Sequence, residues 1–128
     1  MGNIYFLDME DVLTAASHAA EGPVEVWDFG LLAAAVARPA TTVFGQDAYP
    51  DLFAKAAALL HSLVRNRALV DGNKRAGWAS AWVFLKVNGE ELADPLDVDA
   101  AEELVLAAAR GDIDVPDIAN GLRRFSRA

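Results

Sequence analysis

Eleven consecutive positions, Arg65-Asn66-Arg67-Ala68-Leu69-Val70-Asp71-Gly72-Asn73-Lys74-Arg75, hold four cations (Arg65, Arg67, Lys74, Arg75) and a single acid, Asp71. The chain of 128 residues as a whole has 11 Lys and Arg against 19 Asp and Glu, a net charge of −8. Positive charge concentrated in an acidic chain points to an anion, and the residue types suggest which one. Asp-Gly-Asn is a turn tripeptide, because Gly tolerates positive φ and Asp and Asn bond nearby backbone groups. A helix that opens there directs its unpaired N–H groups and positive dipole end at whatever sits above Gly72, Asn73 and Lys74. Lys74 and Arg75 in its first turn run against the dipole, which favours cations at the other end. A bound phosphate resolves that conflict, held by backbone N–H groups, by Lys as a point charge and by Arg as a fork. Asp71 is then the ligand expected for a Mg²⁺ that accompanies a nucleotide, since Mg²⁺ takes one or two carboxylates plus phosphate oxygens. Read as residues alone, the same run also fits an ordinary inter-helix turn with solvated Lys and Arg.

The flanking elements must position these groups. A helix from Asp51 to about Val64 precedes the run, with Pro50 at its start and Leu52, Phe53, Ala56, Leu59, Leu60 and Leu63 on its buried face. A second, Asn73 to Val87, follows; Trp78, Ala79, Ala81, Trp82, Val83, Phe84 and Leu85 leave it almost no polar face, so it is expected to be the buried centre of the fold. Upstream, Ile4 to Leu7 reads as an extended arm, and Asp8 caps a helix that ends at Gly22-Pro23. Val24 to Trp27 reads as extended and half-buried, and Asp28 caps a helix over Phe29 to Ala37 that Arg38-Pro39 ends. Helical patterning is lost from Pro39 to Tyr49, and a loop this long in a small protein is more often functional than idle; as a plain connector it would pack Phe44 down. Asp97 or Asp99 caps a helix to Arg110, and a last helix spans Pro116 to Phe125. Arg123, Arg124 and Arg127 near its end read as solvated charge favoured by the dipole. His18 has no evident partner, and His61 reads as a surface or interface residue.

Composition narrows the classes. The length fits one domain, residues 1–128, that buries about two-thirds of its unfolded surface. Abundant alanine predicts an all-α bundle of about six helices. With no cysteine, disulfides and thiolate metal sites are excluded, which suits a reducing cytoplasm. No apolar stretch is long enough to span a membrane, and the first ten residues are acidic rather than signal-like. The acidic balance argues against direct nucleic-acid binding, which draws on many Lys and Arg contacts to phosphate.

The segment Asn66-Arg67-Ala68-Leu69-Val70-Asp71-Gly72-Asn73-Lys74-Arg75 resembles the signature of the Fic/Doc family, with Ala68 and Leu69 smaller than the Pro-Phe of many members. Lys74, where AMP-transferring members carry Gly, and Trp78, where many of those carry a second Arg, place the resemblance on the Doc (death on curing) branch. Gly30-Leu31-Leu32 to Ala37-Arg38-Pro39, Phe44-Gly45, Tyr49-Pro50, Lys55-Ala56-Ala57 and Val83-Phe84-Leu85 through Asn88-Gly89 look like that branch too. The resemblance implies a compact Fic-like bundle and the toxin of a toxin–antitoxin module. It implies a kinase that uses ATP and Mg²⁺ to phosphorylate translation elongation factor Tu and block translation, countered by a Phd-type antitoxin. It also implies that the 39–49 loop is a flap over the active site that aligns the target's backbone. Position by position, Gly72 and Asn73 would form the backbone anion cradle, Lys74 and Arg75 the phosphate contacts and Asp71 the Mg²⁺ site.

Arg67 occupies the position of the family His, the group that takes the proton from the target hydroxyl. An Arg stays protonated at any ordinary pH and has no lone pair to offer, so it cannot act as a general base. Loss of such a base commonly costs on the order of a hundred- to ten-thousand-fold in rate. The chain is therefore expected to be catalytically inactive, either an inactivated copy of a toxin or a natural pseudoenzyme that binds nucleotide or antitoxin. An AMP-transferring Fic enzyme is the other alternative, disfavoured by Lys74.

Overall fold

A computed structural model describes residues 3–127. Six α-helices supply nearly all of the regular structure: α1 (Met9–Ala20), α2 (Phe29–Ala37), α3 (Leu52–Asn66), α4 (Asn73–Val87), α5 (Val98–Arg110) and α6 (Val115–Arg124). A 3₁₀ turn (Arg38–Ala40) extends α2, and an antiparallel hairpin of β1 (Thr42–Val43) and β2 (Gln46–Asp47) precedes α3. The all-α expectation holds.

Aspartate sets most of the helix starts. Asp8, Asp28, Asp51, Asp97 and Asp114 each accept a backbone N–H from the first turn of α1, α2, α3, α5 and α6, which satisfies one of the orphan donors there and places negative charge at the positive dipole end. Asp97, not Asp99, caps α5, and α6 begins at Val115 with a capping box between Asp114 and Asp117. Among the described α-helices, α4 alone starts without a side-chain cap: its N-cap is Gly72, at φ 78°.

The centre of the core is the α3–α4 pair. The sequence suggested α4 as the axis, yet α3 is the more enclosed. Lys55 to Leu60 and Ser62 to Val64 are all buried, and α3 packs on α2, the 3₁₀ turn, α4, α5 and α6. In α4, Lys74, Arg75, Val83, Lys86 and Val87 face solvent. Apolarity all round misled the reading because exposed valines carry no polar signal. The two helices meet closely at Gly77, where an added Cβ would lie 2.7 Å from Val64 Cγ1. Leu59, Leu60, Leu63, Phe84 and Leu85 are almost fully buried at this junction, each contributing about 1.5–3 kcal/mol from removal of apolar surface.

The 39–49 segment is more ordered than its sequence suggested. Thr42 pairs with Asp47 and Val43 with Gln46, around a Phe44-Gly45 turn with φ of 51° and 78°. Two positive φ angles match the twist of a two-residue hairpin. Phe44 is not packed down: it stands fully exposed at the tip. The C-terminal arginines also differ from expectation. Arg123 donates to Asp51 Oδ2 at 2.7 Å and Arg127 to Glu91 Oε2 at 3.0 Å, so both are paired at the surface rather than simply solvated.

Candidate functional site: a cationic cavity at the start of α4

The loop between α3 and α4 is held from both sides. Val26 and Leu69 form an antiparallel bridge. Trp27 N–H and Asp28 N–H both donate to Ala68 O, at 2.7 and 3.0 Å, and Val70 N–H donates to Glu25 O at 3.0 Å. Within the 24–27 stretch Val26 forms the bridge and Val24 and Val26 are half-buried, but Trp27 lies in a bend and is exposed rather than half-buried. From the other side, Asn73 Oδ1 accepts Leu69 N–H and Asn73 Nδ2 donates to Leu69 O, both at 3.0 Å. The Asn73 side chain is thus committed to the loop, and only its backbone N–H is left for an anion. Ala68 and Leu69 are buried beneath.

Arg67, Asp71, Gly72, Asn73, Lys74 and Arg75 come together around one cavity of about 520 Å³, whose wall is completed by Trp27, Val64, Leu69, Val70 and Ala109. Arg67 ends α3 in the left-handed conformation, φ 52°, ψ 51°, a region that costs most side chains about 1–2 kcal/mol. Among the described residues, no hydrogen bond or ion pair engages the side chains of Arg67, Lys74 or Arg75. The Arg75 guanidinium lies near Gly72, 3.9 Å from the place a Cβ would take. Asp71 is exposed, and its Oδ1 accepts Gly72 N–H at 2.8 Å, which leaves Oδ2 free. Three unpaired cations and one half-used carboxylate thus surround the only uncapped α-helix start among the described residues. That arrangement suits a polyanion.

A divalent cation fits here under one condition. No group of three or more His, Cys, Asp or Glu that could hold a metal occurs among the described residues. Asp71 would be the single protein carboxylate, and phosphate oxygens and water would supply the other ligands, which matches how Mg²⁺ accompanies nucleotides.

Other candidates fall outside the cavity. Arg65 does not line it; its guanidinium donates to Ala109 O at 2.8 Å, near the C-terminal end of α5 where the dipole favours a cation. None of residues 39–49 lines the cavity; the hairpin is anchored along α3 instead. Lys55, only 1% exposed, pairs with Asp47 Oδ2 at 3.1 Å and donates to Tyr49 O. Arg38 donates to Tyr49 Oη and His61 Nδ1, both at 2.7 Å, and to Ser62 Oγ at 3.0 Å. His61 is therefore a half-buried member of this network rather than a surface residue, with Asp114 3.7 Å from its Nε2. Burial, and then the neighbouring Arg38 charge, hold the imidazole below its ordinary pKa, while Asp114 pulls the other way. His18 is exposed in the last turn of α1. Sequence reasoning missed Trp27 as cavity wall and Lys55 as anchor. Lys55 had a signal: it stands one turn before Leu59 and two before Ser62, on a face that helical spacing buries.

An uncapped helix start, a left-handed residue ending the preceding helix and a Lys-Arg pair over a Gly-Asn turn mark a small all-α protein with a cationic cavity between two of its helices. The comparisons are more specific. The model of the Fic/DOC family matches residues 5–85, the span from the N-terminal arm through most of α4. Over 123 residues, 96% of this chain and 95% of the relative, it is 58% identical to a protein named Toxin Doc from Mycolicibacterium smegmatis. Over 75 residues, 59% of this chain and 57% of the relative, it is 36% identical to the protein kinase doc of Escherichia phage P1. The chain belongs to the Fic/DOC family.

Proposed function

We propose that this chain is the toxin component of a toxin–antitoxin pair, of the kind that transfers the γ-phosphate of ATP to a hydroxyl on translation elongation factor Tu, and that Arg67 leaves it able to bind Mg·ATP but not to turn over. The observation that carries this reading is the set of three unpaired cations, Arg67, Lys74 and Arg75, around the uncapped start of α4. The names of the two relatives, a toxin and a protein kinase, support the class of activity.

The roles follow from chemistry. The backbone N–H groups of Asn73, Lys74 and Arg75 receive phosphate oxygens, with Gly72 leaving room above them. Lys74 and Arg75 add charge-assisted hydrogen bonds. Asp71 holds the Mg²⁺, which neutralises phosphate charge when bound. Phosphoryl transfer depends mainly on such positioning and electrostatics, with one residue to receive the hydroxyl proton. At that position Arg67 can only donate. The left-handed backbone there suits His well, a residue type enriched in this region, so restoring the base requires no change of fold. The toxin's partner is an antitoxin of the Phd type that lays an apolar helix face on it, and the pair acts in the cytoplasm, where the elongation factor works.

Two measurements test this. Calorimetric titration with Mg·ATP is expected to show binding that the Lys74→Ala, Arg75→Ala double variant weakens tenfold or more; no binding to the parent overturns the nucleotide site. Arg67→His is expected to cause growth arrest and add a phosphate mass to elongation factor Tu. A nucleotidyl adduct would instead identify AMP transfer, and neither arrest nor adduct would overturn the toxin-kinase reading.

A further inference from the structure

We propose that Trp27 is the platform on which the base of the bound nucleotide stacks. This rests on the phosphate reading above and extends it to the half of the ligand that carries no charge.

Of the three tryptophans, Trp78 and Trp82 pack on one another at 5.9 Å between ring centroids, and Trp78 meets Phe125 edge-on at 5.4 Å. Trp27 has no such aromatic partner among the described residues and is 73% exposed. Its backbone, by contrast, is fixed. Its N–H donates to Ala68 O at 2.7 Å, the preceding Val26 is bridged to Leu69, and the following Asp28 both donates to Ala68 O and caps α2. The residue is thus tied by its main chain to the very loop that carries Arg67 and Asp71, while its indole remains largely in solvent at the cavity wall.

A ligand that touches Trp27 and the three cations at once needs a flat π-face at one end and several negative charges at the other. A nucleoside triphosphate has that form, and the cavity volume of about 520 Å³ suits a ligand of that size. Val70, also exposed, adds apolar surface to the same cavity. The backbone restraints reduce the ordering cost of stacking, because main-chain position is set before the ligand arrives. A competing location for the base is the apolar pocket of about 390 Å³ between α4 and α5, lined by Trp78, Val105 and Leu106, which shares Lys74 and Arg75 with the cavity. It lacks Arg67, Asp71 and Gly72, and its tryptophan is already engaged by other rings.

Calorimetric titration of the full chain with Mg·ATP and with Mg·tripolyphosphate, which has no base, separates the two halves of the ligand. Trp27→Ala is expected to weaken Mg·ATP about tenfold and leave Mg·tripolyphosphate within about twofold, since base–aromatic stacking is lost and phosphate contacts are not. Trp27→Phe should recover most of the loss. In the parent, Mg·ATP should quench tryptophan emission and Mg·tripolyphosphate should not, and Trp27→Phe should abolish that quench. Being exposed, Trp27 can be replaced without loss of fold, which a melting curve checks. Unchanged Mg·ATP affinity in Trp27→Ala overturns the proposal and moves the base elsewhere, the α4–α5 pocket included. Equal loss for both ligands overturns it too, by making Trp27 a shaper of the phosphate site. A parent that binds neither ligand removes the phosphate reading itself, and the platform with it.

Discussion

Lys55 and Lys74 carry the same side chain on neighbouring helices, in two regions that use positive charge in opposite ways. Along the N-terminal half of α3, Lys55 is buried against Asp47 and Tyr49, and Arg38 reaches Tyr49, His61 and Ser62. At the start of α4, Arg67, Lys74 and Arg75 face a cavity with no partner among the described residues. The first region spends its cations on structure: they fasten the hairpin, whose own two residue pairs and exposed strands bury too little to hold it in place. The second keeps its cations unpaired and exposed at a positive dipole end, where a bound anion would relieve their mutual repulsion. A cation's partners, more than its identity, therefore separate scaffold from site.

Truncating Lys55 tests that contrast most severely. Lys55→Ala removes a buried side chain and its contacts to Asp47 and Tyr49, and should lower the unfolding free energy by about 2–4 kcal/mol in denaturant titration. Lys74→Ala should stay within about 0.5 kcal/mol of the parent, as expected for an exposed side chain without partners. Equal losses would break the distinction. Asn73 sharpens it from inside the motif, because its side chain serves the loop rather than the cavity. Asn73→Ala should cost about 1–3 kcal/mol, leaving the Leu69 amide and carbonyl unpaired, and a variant as stable as the parent would show that the clamp is dispensable.

The next expected effect is on pH dependence. Arg38 Nη1 can only donate to His61 Nδ1, so the ring must be neutral there, with its proton on Nε2. Its folded pKa lies below the ordinary 6.5, so the unfolded chain takes up the proton first as pH falls. Stability from this group is complete above about pH 6.5 and is lost as pH drops from there through the folded pKa. Melting curves from pH 8 to 5 should show this fall, and His61→Gln should flatten it; an unchanged slope in the variant would assign the acid sensitivity elsewhere. A small effect also belongs to the exposed Arg123–Asp51 pair. Arg123→Ala should change the unfolding free energy by less than about 1 kcal/mol, and a loss as large as that of Lys55→Ala would mean that exposed pairs also hold the fold together.

Local rules carried far in this chain. Asp8 and Asp28 each stand before an apolar helical pattern and cap the helix expected of them, and of the two candidates for α5 it is Asp97 that caps. The turn at Asp71-Gly72-Asn73 opens α4 where its residue types require. Gathering of Arg67, Asp71, Lys74 and Arg75 was legible because they lie within nine positions of one turn. Less legible was anything that depends on which helix faces which. Arg65 shares the basic run with Arg67, yet it reaches α5, because Arg65 is still on α3 whereas Arg67 has left the helix in the left-handed conformation. The hairpin escaped notice because a Phe-Gly turn lacks the usual Asn or Asp, and its strands have only two residues each.

By itself the sequence determined the helical class, most helix starts and the concentration of positive charge at one turn, since caps, turns and charge are properties of residues close together along the chain. The tertiary structure decided which cations are free. Lys55 meets Asp47 and Tyr49 only through the fold of the hairpin, Arg65 meets Ala109 from 44 positions away, and Trp27 reaches the cavity because Val26 bridges Leu69. Pairing is a matter of distance in space, and separation along the chain does not set that distance.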